Sequence, residues 1–195
     1  MTEAPQPAGA DADALPLLQS VVQVARAIFG AAASSVFLLD RDANELVFQA
    51  VSGQGEQSLV GARFPADRGI AGWVAMSGDA MVVDDLSTST AFARDLAEST
   101  TYVPNSLMAA PLIYQDQVLG VLEVLDPVAQ SRSDLAELDL LLLFAGQAAT
   151  ALRIVLDQRS RREPELAALR TVQQLSSSDR TQLVDALTTL LTPTP

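Results

Sequence analysis

The chain has 195 residues, 49% of them hydrophobic, with a formal net charge of −12 and a sequence isoelectric point near 4.2. It holds neither cysteine nor histidine, and all 12 basic residues are arginine, so thiol, disulfide, imidazole, Schiff-base and P-loop lysine chemistry have no residue to carry them. So acidic a surface repels phosphate backbones, which argues against nucleic-acid binding, and the length suits one domain with a sizeable core plus an appended helical piece.

Residues 1–13 show no apolar periodicity and read as a disordered tail, with neither the basic nor the apolar region of a secretory signal. Leu18, Val21, Val22, Ala25, Ile28 and Phe29 recur at helical spacing, which predicts a helix from Leu15 to Phe29 stopped by Gly30. Ser35–Asp40 and Glu45–Ser52 are β-prone runs joined by Arg41-Asp42-Ala43-Asn44, a hairpin. Gly53, Gly55 and Gly61 then punctuate a loop or short edge strand that reaches Phe64.

A short helix is expected from Ile70 to Met76, closed by Ser77-Gly78, and a strand from Ala80 to Asp84. The Ser/Thr-rich segment from Leu86 to Pro104 is longer than most connections, the mark of a lid or binding loop. Ser106–Tyr114 and Val118–Leu125 form the second predicted hairpin, turning at Gln115-Asp116-Gln117. Ser133 to Arg162 carries helical periodicity over about eight turns, with Ser133 placed to cap it. Pro164–Leu175 and Asp179–Leu191 read as a helical hairpin divided by Ser176-Ser177-Ser178.

The long helix bears two apolar lines. Leu135, Leu138, Leu142, Ala145, Ala149, Leu152 and Leu156 form a continuous seam, and Leu141, Phe144, Ala148, Ala151 and Val155 lie on the adjoining face. They fit either one wide core face or a seam against a second copy. A Leu/Ala seam left in water would expose a large apolar patch, which favours a homodimer, parallel or antiparallel, through the terminal helices. The longest apolar stretch, Leu138 to Ala145, is interrupted by Asp139 and falls short of the roughly 20 residues that span a bilayer. The expectation is therefore a cytoplasmic chain without a membrane helix.

Two stretches narrow this α+β pattern. One is Asp67-Arg68-Gly69-Ile70-Ala71-Gly72-Trp73-Val74-Ala75-Met76-Ser77-Gly78 with Val82-Val83-Asp84-Asp85 after it; the other is Asn105-Ser106-Leu107-Met108-Ala109-Ala110-Pro111-Leu112 with Gly120-Val121-Leu122-Glu123-Val124. Together they resemble the GAF family, over about Leu15 to Arg159. Independently of any family, Gly69 and Gly72 permit unusual backbone and close packing, Pro111 implies a strand edge or bulge, and Gly120 a close neighbour.

The resemblance implies a central antiparallel sheet of five to six strands, helices from both termini on one face, and loops and short helices over the other. The domain would occupy 14–162, with the helical hairpin extension at 163–195. It also implies a small-molecule pocket between the sheet and the segments 68–77 and 84–104, lined by Phe37, Trp73, Asp84, Phe92, Arg94, Tyr102, Ser106, Met108 and Pro111. Without Cys, His or Lys the chain cannot resemble the bilin-binding, haem-sensing or sulfoxide-reducing members, nor carry the lysine-containing signature of the phosphodiesterase type. Many members have Arg where Asn105 stands, so no anion contact is expected there.

The function expected is sensory: binding a small molecule or a downstream signalling protein and relaying the change through dimerising helices, with no bilin, haem or metal. The alternative is a ligand-free interaction module. Catalysis is not expected, because Asp84 and Asp85, the one adjacent carboxylate pair in the motif, would point to opposite faces of a strand. The hairpin at 164–191 offers Arg170 and Arg180 against Glu165, Asp179 and Asp185, a poor footprint for DNA.

Overall fold

A computed structural model describes residues 14–54, 59–89, 102–128, 136–174, 176 and 182, with the backbone alone between 158 and 174. The chain divides into two units, Met1–Val155 and Leu156–Pro195. The expected tail and nearly all of the segment 179–191 lie outside the described residues.

Helix α1 spans Leu15–Phe29, as its periodicity requires. Pro16 suits a first turn whose N–H groups have no helical partner, and Gly30 ends the helix at φ 57°, where the Gly30 and Ala31 amides close onto the carbonyls of Ala27 and Arg26. Its buried stripe is Leu18, Val21, Val22, Ala25 and Phe29. Strands β1 (Ala33–Asp40) and β2 (Glu45–Gly53) form the first hairpin, and β3 (Arg63–Pro65) adds a short edge. Helix α2 (Gly69–Ser77) and strand β4 (Met81–Val83) precede the second hairpin, β5 (Leu107–Tyr114) and β6 (Gln117–Leu125). Its turn uses Gln115 and Asp116, both at positive φ (47° and 62°), the backbone that matches strand twist in a two-residue turn.

The six strands lie in the order β3-β2-β1-β6-β5-β4, and every neighbouring pair is antiparallel. The β1–β6 pair joins the hairpins, setting Phe37 opposite Val121, Ser35 opposite Glu123 and Leu38 opposite Gly120. Contact there is so close that a Cβ on Gly120 would sit 2.0 Å from the Phe37 carbonyl oxygen. Pro111 lies past the end of β4, which pairs only with Leu107–Ala109, and beside a register shift at Leu112/Ile113, as a strand proline requires.

Strand alternation gives the sheet two buried faces. Helix α1 packs on β1, β2 and β6. The other face carries Phe37, Leu46, Phe48, Val51, Leu107, Ala109 and Val121, which form one core cluster with Ile70, Ala71, Val74 and Ala75 of α2 and with Phe64. Helix α2 presses Ile70, Ala71, Gly72, Val74 and Ala75 onto this face and leaves Trp73 and Met76 exposed. Gly72 lets it approach, since a Cβ there would lie 2.8 Å from the Ala66 carbonyl oxygen.

Helix α3 (Glu137–Gln174) departs from expectation in three ways. It runs on through Pro164, where a break was expected: a proline removes one backbone donor and crowds the preceding turn, and the Arg, Leu, Glu and Ala residues around it are good helix formers. The predicted seam is not a free surface, because Ala145, Ala149 and Leu152 are fully buried within the protomer. With Leu141 and Ala148 they make one broad core face drawn from both predicted lines; Leu138 and Leu156 are half-buried, Leu142 is exposed, and Leu135 lies outside the described residues. Finally, Glu137–Asp157 is long and apolar enough to cross a membrane by length and composition, with mean hydropathy 1.6, because Gly146, Gln147 and Thr150 interrupt the apolar run without charge. Leu141, Ala145, Ala148, Ala149 and Leu152 of this stretch are buried in the fold, and 28% of the apolar window is buried in all.

Two glycine substitutions separate close packing from chain flexibility. Gly120→Ala should cost ~3 kcal/mol or more, since backbone must move to admit the methyl. Gly146→Ala, which meets nothing within 4 Å, should stabilise by ~0.5–1 kcal/mol. Denaturant unfolding of both variants checks the pair, and equal effects would contradict the β1–β6 register.

Candidate ligand-binding site

The core cluster does not fill the space between the sheet and α2. A pocket of about 90 Å³, open to solvent on one side, is lined by Ala33, Ser35 and Phe37 of β1, Phe48 and Val51 of β2, and Phe64 of β3. Arg68, Gly69, Ile70 and Ala71, at the start of α2, close one side, and Tyr102, Pro104, Leu107, Glu123 and Leu125 the other. The largely apolar lining, with few polar groups, is of the kind that small-molecule sites have. Phe37 lies 4.2 Å from Phe48 and 5.4 Å from Phe64 between ring centroids, the second pair edge to face, so three rings form a continuous aromatic wall.

Among the described lining residues Glu123 is the one carboxylate. It lies on the central strand β6, between Ser35 of β1 and Ala109 of β5, and is 9% exposed. Among the described residues no hydrogen bond or ion pair reaches its carboxyl; Ser34 Oγ donates instead to the Glu123 backbone carbonyl, at 2.9 Å. Burial alone pushes its pKa up to about 8, so the side chain is mostly a neutral acid at pH 7.

Tyr102 donates its phenolic hydrogen bond to Asp126 Oδ2. Burial, and then Asp126, holds its ionisation far above the ordinary phenol range. Asp126 Oδ1 accepts from the amides of Asn105 (2.8 Å) and Ser106 (2.9 Å), which ties the segment before β5 to the end of β6. That staple presents the Tyr102 ring to the cavity.

Of the residues expected to line the pocket, the structure brings Phe37 and Tyr102 together there. Trp73 does not reach it: it lies on the outer side of α2 and is 43% exposed. Asp84 is exposed beyond the end of β4, and its neighbour Asp85 caps the following turn through the Ser87 amide. Met108 is buried, but alternation along β5 turns it to the opposite face of the sheet from Leu107. Ser106 is engaged with Asp126 and is not part of the lining; Pro111 is buried outside it. Phe92 and Arg94 lie outside the described residues. Glu123 and Asp126 were missed, although a lone charge inside the apolar run Val118–Leu125 was a visible signal for the first.

The GAF domain family profile matches residues 13–152. The chain belongs to the GAF family. Solved GAF domains share its fold: that of a phosphoenolpyruvate-protein phosphotransferase from Coxiella burnetii superposes with a TM-score of 0.66 at 20% identity, covering 77% of this chain and 89% of that one. The second GAF domain of DevS from Mycobacterium smegmatis gives a TM-score of 0.59 at 21% identity, covering 75% of this chain and 97% of that one. The chain is also similar to the cone cGMP-specific 3',5'-cyclic phosphodiesterase subunit alpha' of Mus musculus, 29% identical over 91 residues. That match takes in 47% of this chain and 11% of the relative.

The buried acid has a measurable consequence for this GAF domain. Glu123 binds its proton more tightly when folded than at its ordinary value of 4.5, so stability is greatest below that value and is lost as pH rises towards 8. The slope should be ~1.4 kcal/mol per pH unit. Asp40 and Asp85, held below their usual range by Arg63 and by Ser87 respectively, act in the opposite sense and only at lower pH. Urea unfolding at pH 5.5, 6.5 and 7.5 should show the decline in the natural protein and a flatter line in Glu123→Gln.

Proposed function

We propose that this GAF domain is a sensory module that takes a small molecule into the cavity between its sheet and α2 and passes the change on through α1 and α3. The cavity itself carries the proposal: its described lining is largely aromatic and apolar, with one buried carboxyl, the Arg68 guanidinium and a tyrosine held in place. Sensory and regulatory proteins are where this fold is found. The lining argues for binding over catalysis, because Glu123 has no second carboxylate within the described lining to share acid and base roles.

No bilin or haem is proposed, since the usual thiol and imidazole attachments are absent from the sequence. Native mass spectrometry of protein purified from its host should show a copurifying molecule lost on denaturation, and re-addition should raise the melting temperature. Failure of both defeats the ligand-binding half of the proposal.

An output surface is proposed on α3. Leu142, Leu143 and Ile154 are exposed at 39, 60 and 52%, and Leu143 and Ile154 stand three turns apart on one side of the helix. Leu142 belongs to the predicted seam, Leu143 and Ile154 to neither predicted line, and a second copy or a downstream signalling protein would cover them. Sedimentation should find a dimer that Leu143→Glu with Ile154→Glu converts to monomer without loss of helicity. A natural chain that stays monomeric at high micromolar concentration contradicts the dimer.

A further inference from the structure

Placing a carboxyl inside an apolar cavity is expensive, and a leucine or methionine at the same position would fill the space without that cost. Among the described residues nothing offsets the cost, since none hydrogen-bonds to the Glu123 carboxyl. Glu123 does not lie at a sheet edge: β1 and β5 flank its strand, it is nine-tenths buried, and the little accessible surface it keeps opens on the cavity. The open side is the cavity, whose lining also includes the Phe37, Phe48 and Phe64 cluster on the neighbouring strands of the same sheet. A buried, unpartnered acid beside an aromatic wall is a complementary surface for a positively charged nitrogen on an apolar body.

Resting on the sensory reading above, we infer that the ligand is a small primary amine with an aromatic or bulky apolar body, its ammonium group paired with Glu123 and its body set against the phenylalanine wall. The net charge of −12 favours the approach of such a cation over that of an anion.

Binding is coupled to a proton. The empty site holds Glu123 as the neutral acid; when the ammonium ion enters, the carboxyl O–H bond breaks, the carboxylate keeps the electron pair, and one proton leaves for solvent. The ammonium keeps its own protons. The described lining also holds the Arg68 guanidinium, at the start of α2, and Tyr102, whose ionisation burial and then Asp126 hold far above the ordinary phenol range. The faces that β1, β2, β3 and β5 present to the cavity contribute Ala33, Ser35, Phe37, Phe48, Val51, Phe64 and Leu107, none of which titrates.

The test uses 2-phenylethylamine, with 2-phenylethanol and 3-phenylpropanoate as neutral and anionic counterparts of similar shape, on the full chain stripped of bound molecules. Calorimetry should find the amine bound in preference to both. Its affinity should rise about tenfold per pH unit up to pH 8, with about one proton released per ligand in buffers of different ionisation heat. Glu123→Gln and Glu123→Met, checked for folding by circular dichroism, should lose at least tenfold in affinity and the pH dependence with it. A pH-independent affinity, or equal binding by either variant, overturns the assignment. Preference for the alcohol or the acid also overturns it while leaving a ligand-binding sensor in place. If no probe binds and no molecule copurifies, both readings fall.

Discussion

The pairing of β1 with β6 is the constraint from which the rest of the domain follows. Each hairpin is local and its turn is written in a few residues, but two hairpins make one sheet only if their inner strands meet over six residue pairs. Gly120 permits that meeting, because the Phe37 carbonyl occupies the space a side chain would need. The register it enforces sets Ser35 against Glu123 and Phe37 against Val121. One wall of the cavity is therefore a by-product of strand pairing.

The cavity exists because the cover over that face is short and tightly held. Helix α2 is nine residues long, packs closely through Gly72, and ends where Gly78 turns left-handed at φ 74°. It covers β5 and β6 without extending over the whole sheet. The Asp126 carboxylate holds the segment entering β5 by two amides and the Tyr102 hydroxyl, so the far wall is fixed by polar contacts where apolar packing stops. Rigid walls around an unfilled space are what binding without reorganisation requires.

At Glu123 an ionisable group stands where packing alone favours an apolar one. A central strand of this sheet would be more stable at neutral pH with an apolar residue there, since a carboxyl that must stay protonated couples folding to proton uptake. Retaining such a group is characteristic of sites where an interaction is completed from outside. The exposed leucine and isoleucine side chains on α3 are a similar unfinished surface, on a helix whose other side already belongs to the core.

Much of the architecture was legible in the chain because its signals are local. Helical spacing and Gly30 delimited α1 at Leu15–Phe29, alternation and turn residues delimited both hairpins, and the glycine-punctuated blocks pointed to the family. The direction a side chain takes was not legible in the same way. Met108 and Leu107 are equally apolar neighbours, and only the pairing of β5 with β6 and β4 decides which of them faces α2. Two apolar lines on α3 were visible, but which of their residues are covered depends on what packs against them, and the answer mixed both lines. Glu123 stood in plain view as a charge in an apolar strand, yet its burial came from elements distant in sequence. Local order is set by torsional preference and periodicity within a few residues, whereas burial is a property of the assembled sheet; the elements belong to the sequence, and the site belongs to the tertiary structure.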